Sequence, residues 1–153
     1  MTPTEFIAAM LPGALAAQTQ YGIPAGFGIA QAAVETGWLK VVPPGNNLYG
    51  IKADPSWHGP TVMEHTHETI HGISHAEYDA FRAYPDYASS IVDHASFLVG
   101  NERYKNCFTT TDSAEFAKLV AADGYATGVS YAQTLCDIIA EHDLTQYDVK
   151  PNT

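Results

Sequence analysis

Positive charge is scarce in this chain. Lys and Arg together number 7 against 17 Asp and Glu, a formal net charge of −10 over 153 residues. A nucleic-acid groove needs clustered Lys and Arg to neutralise phosphates, and an anionic membrane surface needs the same, so neither partner is expected. Long apolar runs are missing too: no stretch approaches the roughly 20 residues that span a bilayer. Met1-Thr2-Pro3-Thr4-Glu5 lacks the basic and apolar regions of a signal peptide. The chain as given is expected to be soluble, with a removed leader or another export route left open. Cysteine is limited to Cys107 and Cys136. One pair does not fix a redox compartment, and free thiols are the expectation. Repeats, low-complexity segments and linkers are absent from the sequence, which leaves one domain over residues 1–153, loose from about 145.

What is present is a core-forming composition. Hydrophobic residues make up 46% and charged ones 16%, with nine Tyr, six Phe and two Trp. A chain of this length buries roughly 70% of its unfolded surface and folds without staples.

The stretch Pro24 to Trp38 organises the rest. Pro24 suits a first helical turn and Gly37 the left-handed position past a helix end, so a helix is expected over about 24–36. Ala30, Ala32 and Ala33 allow close approach on every side, which predicts a buried central helix. It ends in a single carboxylate, Glu35. The negative end of the helix and the apolar neighbours Val34 and Trp38 disfavour its charged form, so its pKa is expected to rise. A proton held near neutral pH is what a general acid requires. The competing reading of this segment alone is a surface Glu on a fraying helix end.

Thr2-Pro3-Thr4-Glu5 is a capping box with Pro at the first helical position, and the helix it starts should carry Phe6, Ala9, Met10 and Leu15 inward, with a kink at Pro12. Residues 41–47 read as a loop. From Trp57 to Tyr84 the β-branched residues and alternating polar positions predict a small antiparallel sheet turning near Gly72. Helices follow over 85–99, over 112–122 with Asp112 and Glu115 as a cap, and from a Ser130 cap to about His142. Phe97 and Tyr131 are assigned to the core by their spacing. The fold class is α+β, mainly helical with a small antiparallel hairpin or sheet, and a cleft is expected where the hairpin folds over the end of the central helix.

The segment Met63 to His71 supports two chemistries. As a strand it puts Glu64, Thr66 and Glu68 on one face, able to aim a second carboxylate at Glu35, the pair that glycoside hydrolysis uses. As a helix, His67-Glu68-Thr69-Ile70-His71 matches the H-E-x-x-H zinc pattern, with His75 as a third ligand. The β-branched residues and the Gly72 directly after His71 disfavour that helix, so no metal site and no cofactor is expected.

Several linked stretches occur in one order along the chain: Ala30-Gln31-Ala32-Ala33-Val34-Glu35-Thr36-Gly37-Trp38, Asn47-Leu48-Tyr49-Gly50-Ile51-Lys52-Ala53, Phe81-Arg82-Ala83-Tyr84 with Tyr87, Asn101-Glu102-Arg103-Tyr104, and Gly124-Tyr125-Ala126-Thr127 with Tyr131-Ala132. Together, from about Phe6 to Ile139, they resemble glycoside hydrolase family 73. The resemblance implies a lysozyme-like fold and cleavage of β-1,4 bonds in peptidoglycan glycan strands, usually as an endo-β-N-acetylglucosaminidase. Carried over by position, Glu35 matches the general acid, Glu68 the hairpin carboxylate with Glu64 a weaker match, and Tyr125 the cleft tyrosine. Gly128 departs from the family, many members of which have Asp there. The chain's acidity is also unusual for an enzyme of an anionic wall.

Asn47, Tyr49, Trp57 and Tyr84 are the expected substrate contacts, flat apolar faces and an amide suited to pyranose rings, although each aromatic taken singly packs a core. The expected partner is the peptidoglycan glycan strand, met by a monomer at the cell wall after secretion, export or release by lysis. A muramidase or lytic transglycosylase on the same substrate, a zinc peptidase and a non-catalytic wall-binding module are the alternatives.

Overall fold

Thr2 starts the first helix, α1 (Pro3–Tyr21), through the expected capping box: its hydroxyl accepts from the Glu5 N–H at 3.2 Å, and its own N–H donates to Glu5 at 3.0 Å. Pro12 lies inside α1 without ending it. The buried face is Phe6, Met10, Gly13, Ala14 and Ala17, so Ala9 and Leu15, both expected inward, face solvent instead. The computed structural model describes residues 1–126, 128 and 130–150, with the side chain of Glu68 excepted.

The central helix α2 (Ala25–Thr36) is buried without interruption from Ala25 through Ala33. Its small residues let other elements touch its backbone. A Cβ on Gly26 would lie 2.5 Å from Ser113 Oγ and 2.6 Å from the Leu144 carbonyl oxygen, closer than real contacts allow. Around α2 pack α1, α4 (Ser113–Ala122) and α5 (Tyr131–Glu141). The remaining helix, α3 (Tyr87–Val99), crosses α1 at Gly13, where a Cβ would meet Ala88 Cα at 2.7 Å. Asp86 and Asp112 cap α3 and α4 by accepting from the Ser89 and Glu115 N–H groups at 2.8 and 2.9 Å. Ser130 stands at the start of α5 but makes no side-chain cap bond. A 3₁₀ stretch, Glu102–Thr109, links α3 to α4 and has no counterpart in the sequence reading.

Between α2 and α3 a long hairpin stands out from the helices, β1 (Thr61–Ile70) against β2 (Ile73–Arg82) in antiparallel register from Thr61 opposite Arg82 to Ile70 opposite Ile73. His71 and Gly72 turn it with φ of 51° and 79°, the pair of positive values that a tight two-residue hairpin turn demands. An isolated bridge from Lys52 to Phe81 adds the preceding segment to the hairpin's base. Because positions 67 to 70 are strand and His71 is turn, His67 and His71 are not one helical turn apart, and the zinc pattern is overturned.

Residues 144–148 are packed, contrary to the looseness expected from 145, while Val149 and Lys150 are exposed. Leu144 opens a 3₁₀ turn, Leu144–Tyr147, and is 0% exposed. Asp148 then accepts from the Gly26 N–H at 3.0 Å and the Ser113 N–H at 2.8 Å, so one carboxylate serves the amino ends of α2 and α4 together. Cys107 and Cys136 are free thiols. Among the described residues no helix is long and apolar enough to cross a membrane.

Candidate active site

Glu35 stands one residue before the end of α2, and the backbone beyond it is unusual. Gly37, Trp38 and Leu39 all have positive φ, at 57°, 62° and 62°, so the chain makes a left-handed turn that costs the two non-glycine residues conformational energy. Side chains hold it. The Thr36 hydroxyl donates to the Ala32 carbonyl at 2.8 Å and accepts from the Leu39 N–H at 3.1 Å. Trp38 meets Phe6 and His142 edge to face at 5.1 and 5.0 Å. The position of Glu35 is thereby fixed by contacts that reach the first and the last helices of the fold.

The Glu35 side chain is reachable by solvent, yet the protein around it removes enough water to raise its pKa above the ordinary 4.5, with burial as the cause. It lines a cleft of about 560 Å³ together with Tyr49, Lys52, Arg82, Tyr104 and Tyr125. Asp54 and two residues of α3, His94 and Phe97, also line it. The cleft is open, polar at its edges and aromatic on its sides, a shape suited to a chain of sugar rings.

His94 is the wall's hub. It is 4% exposed, stacks on Tyr49 with ring centres 3.8 Å apart and planes 15° apart, and places Nε2 2.9 Å from the Tyr125 hydroxyl. Burial depresses its pKa to about 3, which favours the neutral imidazole. Burial also raises Tyr49 and Tyr125 well above the phenol range, with Glu35's charge adding to both. Tyr125 in turn lies parallel to Tyr131, 5.8 Å away at 11°. The Tyr131 hydroxyl accepts from Gln31 Nε2 at 3.1 Å, one helical turn before Glu35, and its pKa is pushed up to about 12 by burial. Gln31 is 0% exposed and its Oε1 meets no hydrogen-bond partner among the described residues.

The expected site residues divide. Glu35, Tyr49 and Tyr125 line the cleft. Trp57 and Tyr84 do not: they share a separate hollow of about 510 Å³ with Tyr21 and Pro85. Trp57 donates its ring N–H to the Pro60 carbonyl at 2.8 Å and takes the Arg82 guanidinium over its face at 5.0 Å, while the Tyr84 hydroxyl donates to Asp93. These contacts hold both rings in that hollow, apart from the cleft that Glu35 lines. Asn47 is buried at 4% exposure, with Nδ2 donating to the Ile51 and Arg82 carbonyls at 2.8 and 3.0 Å and Oδ1 accepting from the Ile51 N–H at 3.0 Å. Its amide organises the loop below the hairpin and is not presented to a ligand. Of the two residues expected in the core, Phe97 moves the other way and is 49% exposed on the cleft wall, whereas Tyr131 is half-buried and packs against the core beside Tyr125.

Register puts Glu64 opposite Asp79 and Thr66 opposite Glu77 on one face of the hairpin, and Asp79 is joined to Lys52 of the cleft wall at 3.6 Å. Position 68 pairs with His75 in the same register, and the Glu68 side chain lies outside the described residues, as do Thr127 and Val129.

A partly desolvated carboxylate on the wall of an open aromatic cleft, carried by a mainly helical scaffold with one long hairpin, has the form of a lysozyme-like glycoside hydrolase. The family model described as mannosyl-glycoprotein endo-beta-N-acetylglucosaminidase matches residues 11–144, and the chain belongs to this glucosaminidase family, family 73 of the glycoside hydrolases. The peptidoglycan hydrolase FlgJ of Pseudomonas aeruginosa is 38% identical over 141 residues, which are 88% of this chain and 35% of that protein. A solved glycoside hydrolase domain of Salmonella typhimurium FlgJ superposes with a TM-score of 0.81 at 30% identity, covering 93% of this chain and 98% of that one. A peptidoglycan hydrolase from Sphingomonas sp. A1 superposes with a TM-score of 0.72 at 35% identity, covering 94% and 91%. The chain spans a third to a half of the length of the FlgJ relatives it matches.

Proposed function

We propose that this chain is a single catalytic domain that hydrolyses peptidoglycan at the β-1,4 bond following N-acetylglucosamine, acting on the cell wall beyond the cytoplasmic membrane. The observation that carries the reading is Glu35, a carboxylate of raised pKa on the wall of an open, aromatic-sided cleft. Glu35 in its protonated form gives its proton to the glycosidic oxygen. The C1–O bond breaks, its electron pair leaves with that oxygen, and C1 gains oxocarbenium character.

A hairpin carboxylate answers from the other face of the sugar. We assign this to Glu68, with Glu64 as the alternative on the same strand. If it stands roughly 6.5–9.5 Å from Glu35 it takes a proton from the attacking water and the anomer inverts; at roughly 5–5.5 Å it attacks C1 itself and the anomer is retained. Tyr125 lines the site, and its hydroxyl, paired with His94, fixes the ring against the sugar. Tyr49 supports that arrangement from beneath His94.

The names of the relatives support the substrate class, since those proteins are peptidoglycan hydrolases. The test is mass spectrometry of purified peptidoglycan after digestion. N-acetylglucosamine at the new reducing ends is the expected product. N-acetylmuramic acid there would make the protein a muramidase, and an anhydro end a lytic transglycosylase.

A further inference from the structure

Lys52 has no task in the chemistry just described, although it lines the same cleft. Its backbone is fixed: it bridges to Phe81, and its carbonyl accepts from Arg82 Nε at 3.2 Å. Its ammonium group is not. The side chain is 65% exposed, and its ion pair with Asp79 is long at 3.6 Å. Asp79 has a closer partner, the Thr66 hydroxyl at 2.8 Å. Glu35's shift comes from burial alone, so the Lys52 charge is not directed at the acid.

The other cation of the wall, Arg82, is fully engaged. It pairs with Asp93 at 2.9 Å and Asp54 at 3.4 Å and lies over Trp57. Asp54 is likewise occupied, accepting from both the backbone and the hydroxyl of Ser56. The wall thus holds Lys52 and Arg82 against Glu35 and Asp54, an even balance in a chain whose basic residues number 7 to 17 acidic ones. Arg82's charge is met by Asp93 and Asp54, which leaves Lys52, exposed and held by the long contact to Asp79, as the cleft cation open to a ligand.

We infer that Lys52 is a specificity residue that takes a carboxylate of the peptide stem borne by the glycan strand, so that an acidic protein prefers a stem-bearing anionic polymer to an uncharged one. This rests on the peptidoglycan reading above. The cation reaches the ligand from a rigid backbone, and a charge-assisted bond at a part-exposed site is worth about 1 kcal/mol.

The experiment uses soluble, uncross-linked glycan strands with stems attached, either native or with their carboxylates amidated by carbodiimide and ammonia, and reads kcat/KM for reducing-end release. The wild-type protein is expected to lose about fivefold on amidation, the size of one such bond. Lys52→Gln is expected to show that loss on the native strands and to be indifferent to amidation, while Lys52→Arg keeps the wild-type preference. Equal losses for Lys52→Gln on both polymers, or none on either, overturn the assignment. Wild-type protein that releases no reducing ends from either polymer overturns the hydrolase reading itself, and this inference with it.

Discussion

The Nε2 of His94 and the hydroxyl of Tyr125 lie 2.9 Å apart across the base of the cleft, joining α3 to the loop before α5. The bond lies wholly inside the wall that faces Glu35, and it links stability to pH. Unfolded His94 takes a proton near 6.5, whereas in the folded protein it resists until about 3. Between those values the unfolded state binds more protons, so this residue's contribution to stability falls as pH drops from 6.5 toward 3. Calorimetry over that window is expected to show a steeper loss of melting temperature for the wild type than for His94→Gln, which does not titrate. Parallel curves would place a charged His94 in the fold. Tyr125→Phe leaves the imidazole nitrogen unpaired and is expected to cost about 1–3 kcal/mol at neutral pH.

Glu35 works with the opposite sign. Its folded pKa is raised, so its protonated form is favoured by folding, and that contribution is present below 4.5 and lost as pH rises through the folded value. Glu35→Gln keeps the shape and removes the ionisation. Its melting temperature is expected to equal the wild type's at pH 4 and to match or exceed it at pH 7. A variant less stable than the wild type at pH 7 would show that the ionised carboxylate is favoured by its surroundings.

Asp148 is the fold's late clasp, and the prediction for it is one of stability. Its oxygens accept from Gly26, from the Ser113 backbone and from the Ser113 hydroxyl. Asp148→Ala strands buried donors at two helix ends, at a cost of about 2–3 kcal/mol. For a chain of this length that lowers the melting temperature by roughly 4–12 °C. A shift below a degree would mean that the segment from Leu144 is not docked in solution.

Much of the scaffold was legible because local chemistry and tertiary structure agree in it. Thr2 and Glu5, Asp112 and Glu115, Gly37 and Gly100 mark helix ends by mechanisms that act within a turn, and the alanines of α2 announce its burial. The hairpin was legible in its β-branched alternation. What failed depended on partners distant in sequence. Trp57 and Tyr84 are aromatic in the way a sugar platform is, but Pro60, Arg82 and Asp93 decide where they point. Asn47 reads as a ligand contact, yet its amide serves the backbone of Ile51 and Arg82. His94 looks like one more residue on the apolar side of α3, among Ile91, Ala95 and Leu98. Only the fold shows that this face meets Tyr49 and Tyr125. The tail misled for the same reason, since the groups that Asp148 serves lie on α2 and α4.

The account turns on Glu35 as the proton donor, and the most direct measurement is reducing-end release from purified peptidoglycan by the wild type and by Glu35→Gln, side by side at equal concentration. Loss of a positioned general acid is expected to lower turnover about 10²- to 10⁴-fold, with both proteins folded by calorimetry. Glu35→Gln releasing reducing ends at the wild-type rate would contradict the account.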